Sequence, residues 1–187
     1  MRGNLLSTKV KWAVDGYDAF FSSKQAIKEN AEIRFLIRSH FGYVSKIIDL
    51  GCGTGLGQDL IPYGIEYIGV DVDADMVEHC RACRPGRFFR LDALAAIDSF
   101  EGPKMALFSL TDFSYRAIFK FSQEKKALAI AYDRPYLEGS ASAFLKKKYC
   151  FTWKYGVKTI VTKILLRMAG FKLSNFLGEP YYFVAAK

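Results

Sequence analysis

The sequence predicts an α/β fold built on a mostly parallel sheet, and three observations carry that expectation. Short apolar runs alternate with segments of helical periodicity along most of the chain. Acidic residues stand at or near the ends of the first three runs, at Asp49, Asp71 and Asp92. Four glycines, Gly51, Gly53, Gly55 and Gly57, follow the first run directly. A chain of 187 residues with 51% apolar and 25% charged content holds the material for one core. No repeat, low-complexity tract or linker divides it, so residues 1–187 are read as a single domain with residues 1–42 as an N-terminal helical cap segment.

From about Asp18 to Phe41 the apolar positions Phe20, Phe21, Ile27, Ile33, Leu36 and Ile37 approach helical spacing, and Gly42 is a plausible C-cap. Ile47-Ile48-Asp49-Leu50 has the density of a buried parallel strand, and a helix is expected after the glycines. YIGVDVD is a second strand with ADMVEHCRACR as its helix. RFFRLDA, MALFSL and KKALAIAY supply three further strands, with FSYRAIFKF as a helix between the last two. In GVKTIVTKILLRMAG the residues Val157, Ile160, Val161, Ile164, Leu165 and Met168 fall on one face, which predicts an amphipathic helix ended by Gly170. FKLSNFLG and PYYFVAAK close the chain as two strands around Glu179-Pro180.

Neither a signal peptide nor a membrane span is expected, since Lys158, Lys163 and Arg167 interrupt the most apolar late segment. Cys80 and Cys83 form one C-x-x-C without a second ligand pair, so Cys52, Cys80, Cys83 and Cys150 are read as reduced thiols of a cytoplasmic protein and no metal is expected. The net charge of +8 is concentrated: residues 144–187 carry nine Lys/Arg against Glu179 alone. Such a face suits an anionic substrate, RNA, an acidic protein, a membrane surface, or solvent only.

The glycine spacing decides between ligands. A nicotinamide-binding loop needs G-x-G-x-x-G, but the third position is Leu56 counted from Gly51 and Gln58 counted from Gly53. The spacing present is G-x-G-x-G, with Asp49 two residues upstream of Gly51. An acid there is a poor neighbour for a pyrophosphate and a good one for a ligand that carries an ammonium group.

IIDLGCGTG resembles motif I of the class I S-adenosylmethionine-dependent methyltransferases, and YIGVDVDADM resembles their second-strand motif. The resemblance extends to the order of elements and the closing hairpin. It implies a doubly wound, mostly parallel seven-stranded sheet with helices on both faces and a C-terminal antiparallel hairpin. It implies S-adenosyl-L-methionine as cofactor, with Asp49, Gly51, Cys52, Gly53 and Gly55 around the methionine part and Asp71 on the ribose hydroxyls. Asp92 and Ala93 would meet the adenine, Val72 and Met76 would pack nearby, and Ser109 would border the site. The competing reading is that these acids cap the helices that follow them.

Methyl transfer is an in-line displacement at an activated carbon, so orientation can carry most of the catalysis and a base is needed only where the nucleophile must lose a proton. The segment after the fourth strand, Ser109 to Tyr115, faces the transferred methyl in that family, and here it lacks the Asn/Asp-Pro-Pro-Tyr/Phe motif of base and glutamine methylation. Candidate bases are Asp112, Tyr115, Asp133 and Tyr17; His40 and His79 are expected in core or surface roles. Aromatics at Trp12, Tyr17, Phe20 and Phe21, and again at Tyr132, Tyr136, Phe144, Tyr149, Phe151, Trp153 and Tyr155, suggest a lid over a small acceptor. The leading expectation is an O- or N-methyltransferase of a small metabolite, aromatic or anionic in character. An RNA methyltransferase using Lys146–Lys148 and the basic helix is the first alternative, and a catalytically degenerate cofactor-binding subunit the second.

Overall fold

The computed structural model describes residues 24–132, 153–176 and 179–187. In chain order the elements are α1 (Lys24–Phe41), β1 (Lys46–Leu50), a 3₁₀ turn (Leu56–Leu60), β2 (Glu66–Asp71), α2 (Ala74–Cys83) and β3 (Arg87–Arg90). They continue with α3 (Ala93–Ser99), β4 (Lys104–Leu107), a second 3₁₀ turn (Leu110–Asp112), α4 (Tyr115–Ser122), β5 (Ala127–Tyr132), α5 (Trp153–Met168), β6 (Lys172–Phe176) and β7 (Glu179–Ala186). The strands form one sheet in the order β3-β2-β1-β4-β5-β7-β6. Strands β1 to β5 are parallel, and β7 runs antiparallel to both β5 and β6. The expected doubly wound sheet with its C-terminal antiparallel hairpin is the fold observed.

Successive strand residues point to opposite faces, so each strand feeds two cores. Ile48, Leu50, Ile68 and Val70 pack with Ile97 of α3, Ile118 and Phe121 of α4 and Leu166 of α5. Ile47, Tyr67, Met105 and Leu128 pack on the other face with Ile33, Ile37 and Phe41 of α1 and with Val77 and Cys80 of α2. Winding goes outward from β1 through β2 to β3 and then returns to β4 on the other side of β1. The crevice of such a sheet opens at the carboxyl ends of the strands flanking that reversal.

Gly42 takes φ 58°, and its N–H donates to the Arg38 carbonyl at 2.9 Å, the expected cap of α1. The helix expected after the glycine loop is corrected to a five-residue 3₁₀ turn. Ile61 beyond it is extended (φ −81°, ψ 153°) because Pro62 disfavours a helical residue before it and has no N–H with which to continue a helix.

The apolar stripe of α5 is only partly turned to the core, against which Leu165 packs. Thr159, Thr162 and Leu166 are the buried residues, whereas Ile160, Ile164 and Met168 are 60%, 51% and 81% exposed. Val157, Val161 and Leu165 are half-buried. Periodicity reports that apolar side chains share a face, not which neighbour that face meets. Thr162 tolerates burial because its Oγ1 donates to the Lys158 carbonyl at 2.8 Å within the helix.

At the opposite, amino end of the parallel strands Lys104 is buried, with Nζ 2.9 Å from Glu124 Oε2 and 3.2 Å from the Gly102 carbonyl. Removing the partner of a buried charge leaves it uncompensated. Glu124→Ala should therefore lower stability in urea denaturation by about 2–3 kcal/mol, somewhat below the fully buried case because Glu124 keeps some solvent. A loss under about 0.5 kcal/mol, the size of an exposed pair, would contradict this account.

Candidate active site

The glycine loop after β1 is held from three sides. Ser109, following β4, donates its hydroxyl to the Leu50 carbonyl at 2.6 Å. A Cβ on Gly51 would stand 2.6 Å from Ser109 Cβ, and Gly51 has φ 72°, so only glycine fits there. Asp71, at the end of β2, accepts from the Gly53 N–H at 2.9 Å. Arg84, just past α2, donates from Nε to the Thr54 carbonyl at 2.7 Å and pairs with Asp59 at 2.8 Å. A Cβ on Gly55 (φ 74°) would meet that arginine's Cδ at 2.7 Å. Gly53 (φ 53°) is different: nothing lies within 4 Å of where its Cβ would be. The loop is thus packed at Gly51 and Gly55 and open at Gly53.

Beneath the loop, Asp49 is buried and accepts a 2.6 Å hydrogen bond from the Tyr67 hydroxyl on Oδ2. Oδ1 is equally buried and has no protein partner. Burial pushes the Asp49 carboxyl up to about 7, against the opposing pull of the Tyr67 hydrogen bond and with a smaller push from Asp71. Burial and then the Asp49 charge hold the Tyr67 hydroxyl well above its ordinary range. Gly57 makes this arrangement possible, since a Cβ there would collide with Asp49 Oδ2 and lie 3.2 Å from the Tyr67 hydroxyl. Tyr67 and the role of Gly57 were not legible in the sequence, because both depend on which way the Asp49 side chain turns.

The other predicted cofactor residues divide by what already occupies them. Asp71 caps no helix; its Oδ1 accepts from the Asp73 N–H at 2.9 Å and its Oδ2 from Gly53. Asp73 is the N-cap of α2, accepting from the Asp75 N–H at 3.0 Å. Asp92 is the N-cap of α3, accepting from Ala95 N–H at 2.9 Å, and stands two residues beyond the end of β3. Each carboxylate keeps lone pairs for a further donor. Val72 is exposed at the end of β2, Met76 is buried in α2, and Ala93 is half-buried. Cys52 turns inward: its sulfur lies 3.9 Å from the Gly53 carbonyl, which the Cys80 thiol approaches at 3.3 Å. A hydrogen bond to Cys80 and burial raise the Cys52 thiol far beyond the ordinary range, while the same bond lowers Cys80. Cys80 therefore partners Cys52 and not Cys83, which is exposed with its sulfur 3.9 Å from His79 Nδ1.

On the β4 side, Phe108 has φ 67°, the one non-glycine residue at positive φ among the described residues. Asp112 and Tyr115 stand nearby on the same connection, and Lys158 of α5 joins them. Lys158 Nζ is 5.8 Å from the Tyr115 ring centre. Partial burial lowers the Lys158 pKa, and the Asp112 charge opposes that shift. Sequence reasoning counted Lys158 only as a charge on a helix. His40 packs edge-on against Phe41, 4.9 Å between centroids, and burial followed by the Lys126 charge lowers its pKa at the far end of the sheet. Tyr17, Asp133, Lys146–Lys148 and most of the aromatics assigned to a lid lie outside the described residues. Among the described residues no cluster of His, Cys, Asp or Glu could hold a metal ion.

The sheet order and the loop at its reversal define the fold of the class I S-adenosylmethionine-dependent methyltransferases, and solved structures agree. The chain is similar to a SAM-dependent methyltransferase from Archaeoglobus fulgidus at 17% identity and TM-score 0.57, covering 91% of this chain and 99% of that one. It is similar to the PH0226 protein of Pyrococcus horikoshii at 16% identity and TM-score 0.59, covering 89% and 92%. A magnesium protoporphyrin IX methyltransferase from Synechocystis, solved with bound SAM, has 14% identity and TM-score 0.54 over 97% and 92%. No family model matches the sequence, and no curated protein does.

Two outcomes follow from the loop. Gly53→Ala should cost only the backbone strain of a left-handed alanine, about 1–2 kcal/mol. Gly57→Ala, which must displace the Asp49–Tyr67 pair, should cost about 3 kcal/mol or more; equal losses in urea denaturation would refute the assignment of packed and open sides. The second concerns pH. Because the folded state holds the Asp49 proton to about 7 and the unfolded state releases it near the ordinary 3.8, stability should fall as pH rises between those values. Asp49→Asn should remove that component, so the wild-type stability relative to this variant declines from about pH 4 to about pH 7. A pH-independent difference would contradict the raised carboxyl.

Proposed function

We propose that the chain is an S-adenosyl-L-methionine-dependent methyltransferase acting on a small acceptor. The observation that carries this reading is the pairing of an open Gly53 with a buried, half-satisfied Asp49 under a loop fixed by Asp71. The residues fit the cofactor: Asp49 Oδ1 is an orphaned buried acceptor suited to an ammonium group, and the space beside Gly53 admits a ligand against bare backbone. When bound, the cofactor supplies a methyl group on a positively charged sulfur, already activated for displacement. Asp71 keeps free lone pairs for ribose hydroxyls while anchoring Gly53, so it serves loop and ligand at once. Asp92 is available to adenine through the lone pairs its cap leaves unused.

On the acceptor side, Lys158 supports an anionic or acidic group in the substrate, and Asp112 and Tyr115 flank it as candidate proton acceptors. Asp112 and Tyr115 are both exposed and so can reach a bound molecule. A positioned nucleophile and the in-line geometry supply most of the rate in such a reaction. Solved relatives of this fold include the magnesium protoporphyrin IX methyltransferase and a plantazolicin methyltransferase, whose acceptors are small molecules rather than nucleic acids.

Calorimetric titration with S-adenosylmethionine and S-adenosylhomocysteine should show binding that Asp71→Ala weakens by about tenfold or more, the worth of one charged hydrogen-bond partner. Binding should tighten as pH rises through about 7, as Asp49 ionises against the ligand's ammonium group. No binding by the folded protein would refute the reading. Lys158→Met should leave cofactor affinity within about twofold while raising the acceptor KM by about tenfold, the cost of one lost charge pair; equal loss of both would remove Lys158 from the acceptor side.

A further inference from the structure

The geometry points to the outer face of α5 as a docking surface for an anionic lipid bilayer. Helix α5 packs Leu165 and Leu166, and Ala169 just past its end, against the core, together with the buried Thr159 and Thr162, and leaves Ile160, Ile164 and Met168 on a single solvent-facing row at i, i+4 and i+8. A helix lying on a sheet ordinarily keeps its large aliphatic side chains inward, because they gain most from leaving water, and these three stay outside. Half-buried Val157 and Val161 widen the row. The neighbouring helix α4 adds the exposed Phe119 to the same layer.

The charges around this row select the partner. Helix α5 contains Lys154, Lys158, Lys163 and Arg167 and no acid. Exposed Arg167 lies beside the row, exposed Lys172 begins β6, and exposed Arg116 lies on α4. Lys163 stands on the flank toward β7, with Nζ 5.0 Å from the Phe183 ring. An apolar row bordered by cations on a convex helix is the pattern that seats in the headgroup region of a bilayer, with aliphatic side chains inserted and Lys/Arg heads among anionic phosphates. A second copy of a chain with this charge would bring like charges together. No described helix is long and apolar enough to cross a membrane, so the mode is lateral docking. This surface is independent of the methyltransferase reading.

The test is co-sedimentation of the full chain with vesicles of phosphatidylcholine alone and of two parts phosphatidylcholine to one part phosphatidylglycerol. The expected result is sedimentation with the mixed vesicles only, reduced about tenfold or more in I164S/M168S and abolished in high salt. Both substituted residues are exposed, so circular dichroism should show the variant folded, and R167E should weaken sedimentation without altering the apolar row. Absence of sedimentation with the mixed vesicles would overturn the proposal. So would equal sedimentation with neutral vesicles, or sedimentation that I164S/M168S leaves unchanged. Light scattering on the same samples separates the remaining occupant: a dimer that I164S/M168S converts to monomer would show that a second copy covers the row, and would also overturn it.

Discussion

A carboxylate sealed from water has to be either neutralised or given donors, and Asp49 sits between those states. The Tyr67 hydroxyl supplies one donor, and the other oxygen is left waiting under the loop. Much of the local architecture accommodates that arrangement. Gly57 has no side chain because Asp49 needs its place, and Tyr67 occupies the β2 position directly across the β1–β2 ladder from Ile47, from which its ring reaches along the sheet to the carboxylate. The buried acid is therefore a constraint on strand, loop and turn together.

The loop above it is a frame with one open side. Ser109 ties it to β4, Asp71 to β2 and Arg84 to α2, so three separate parts of the sheet fix one short stretch of backbone. Such a frame achieves its geometry before any ligand arrives, and preorganised donors lose little freedom on binding. The same contacts explain why Asp71 does not behave as a helix cap even though it stands two residues before the helix-capping Asp73.

Much of this was legible in the sequence, and the misreadings have a common cause. The alternation of runs, the G-x-G-x-G spacing and the acids at strand ends each report local backbone requirements, and those requirements hold in the fold. The direction of a side chain depends on neighbours far along the chain. That is why the apolar row of α5 was visible as a row while its facing was not, and why Lys158 was visible as a charge but not as a companion of Asp112 and Tyr115. Cys80 shows the same limit: its sequence neighbour Cys83 is three residues away, whereas its contact in space is Cys52. Pro62 is the exception that proximity could have resolved, since the stop it imposes on the 3₁₀ turn is itself a local effect.

Phe108 holds its left-handed backbone without the relief that glycine would give. A laboratory selection for heat resistance alone would meet two opposed terms at that position, since glycine there lifts about 1 kcal/mol of backbone strain but forfeits the ring's packing against the core. The chain as it stands keeps the ring and the strain together at the turn that ends β4.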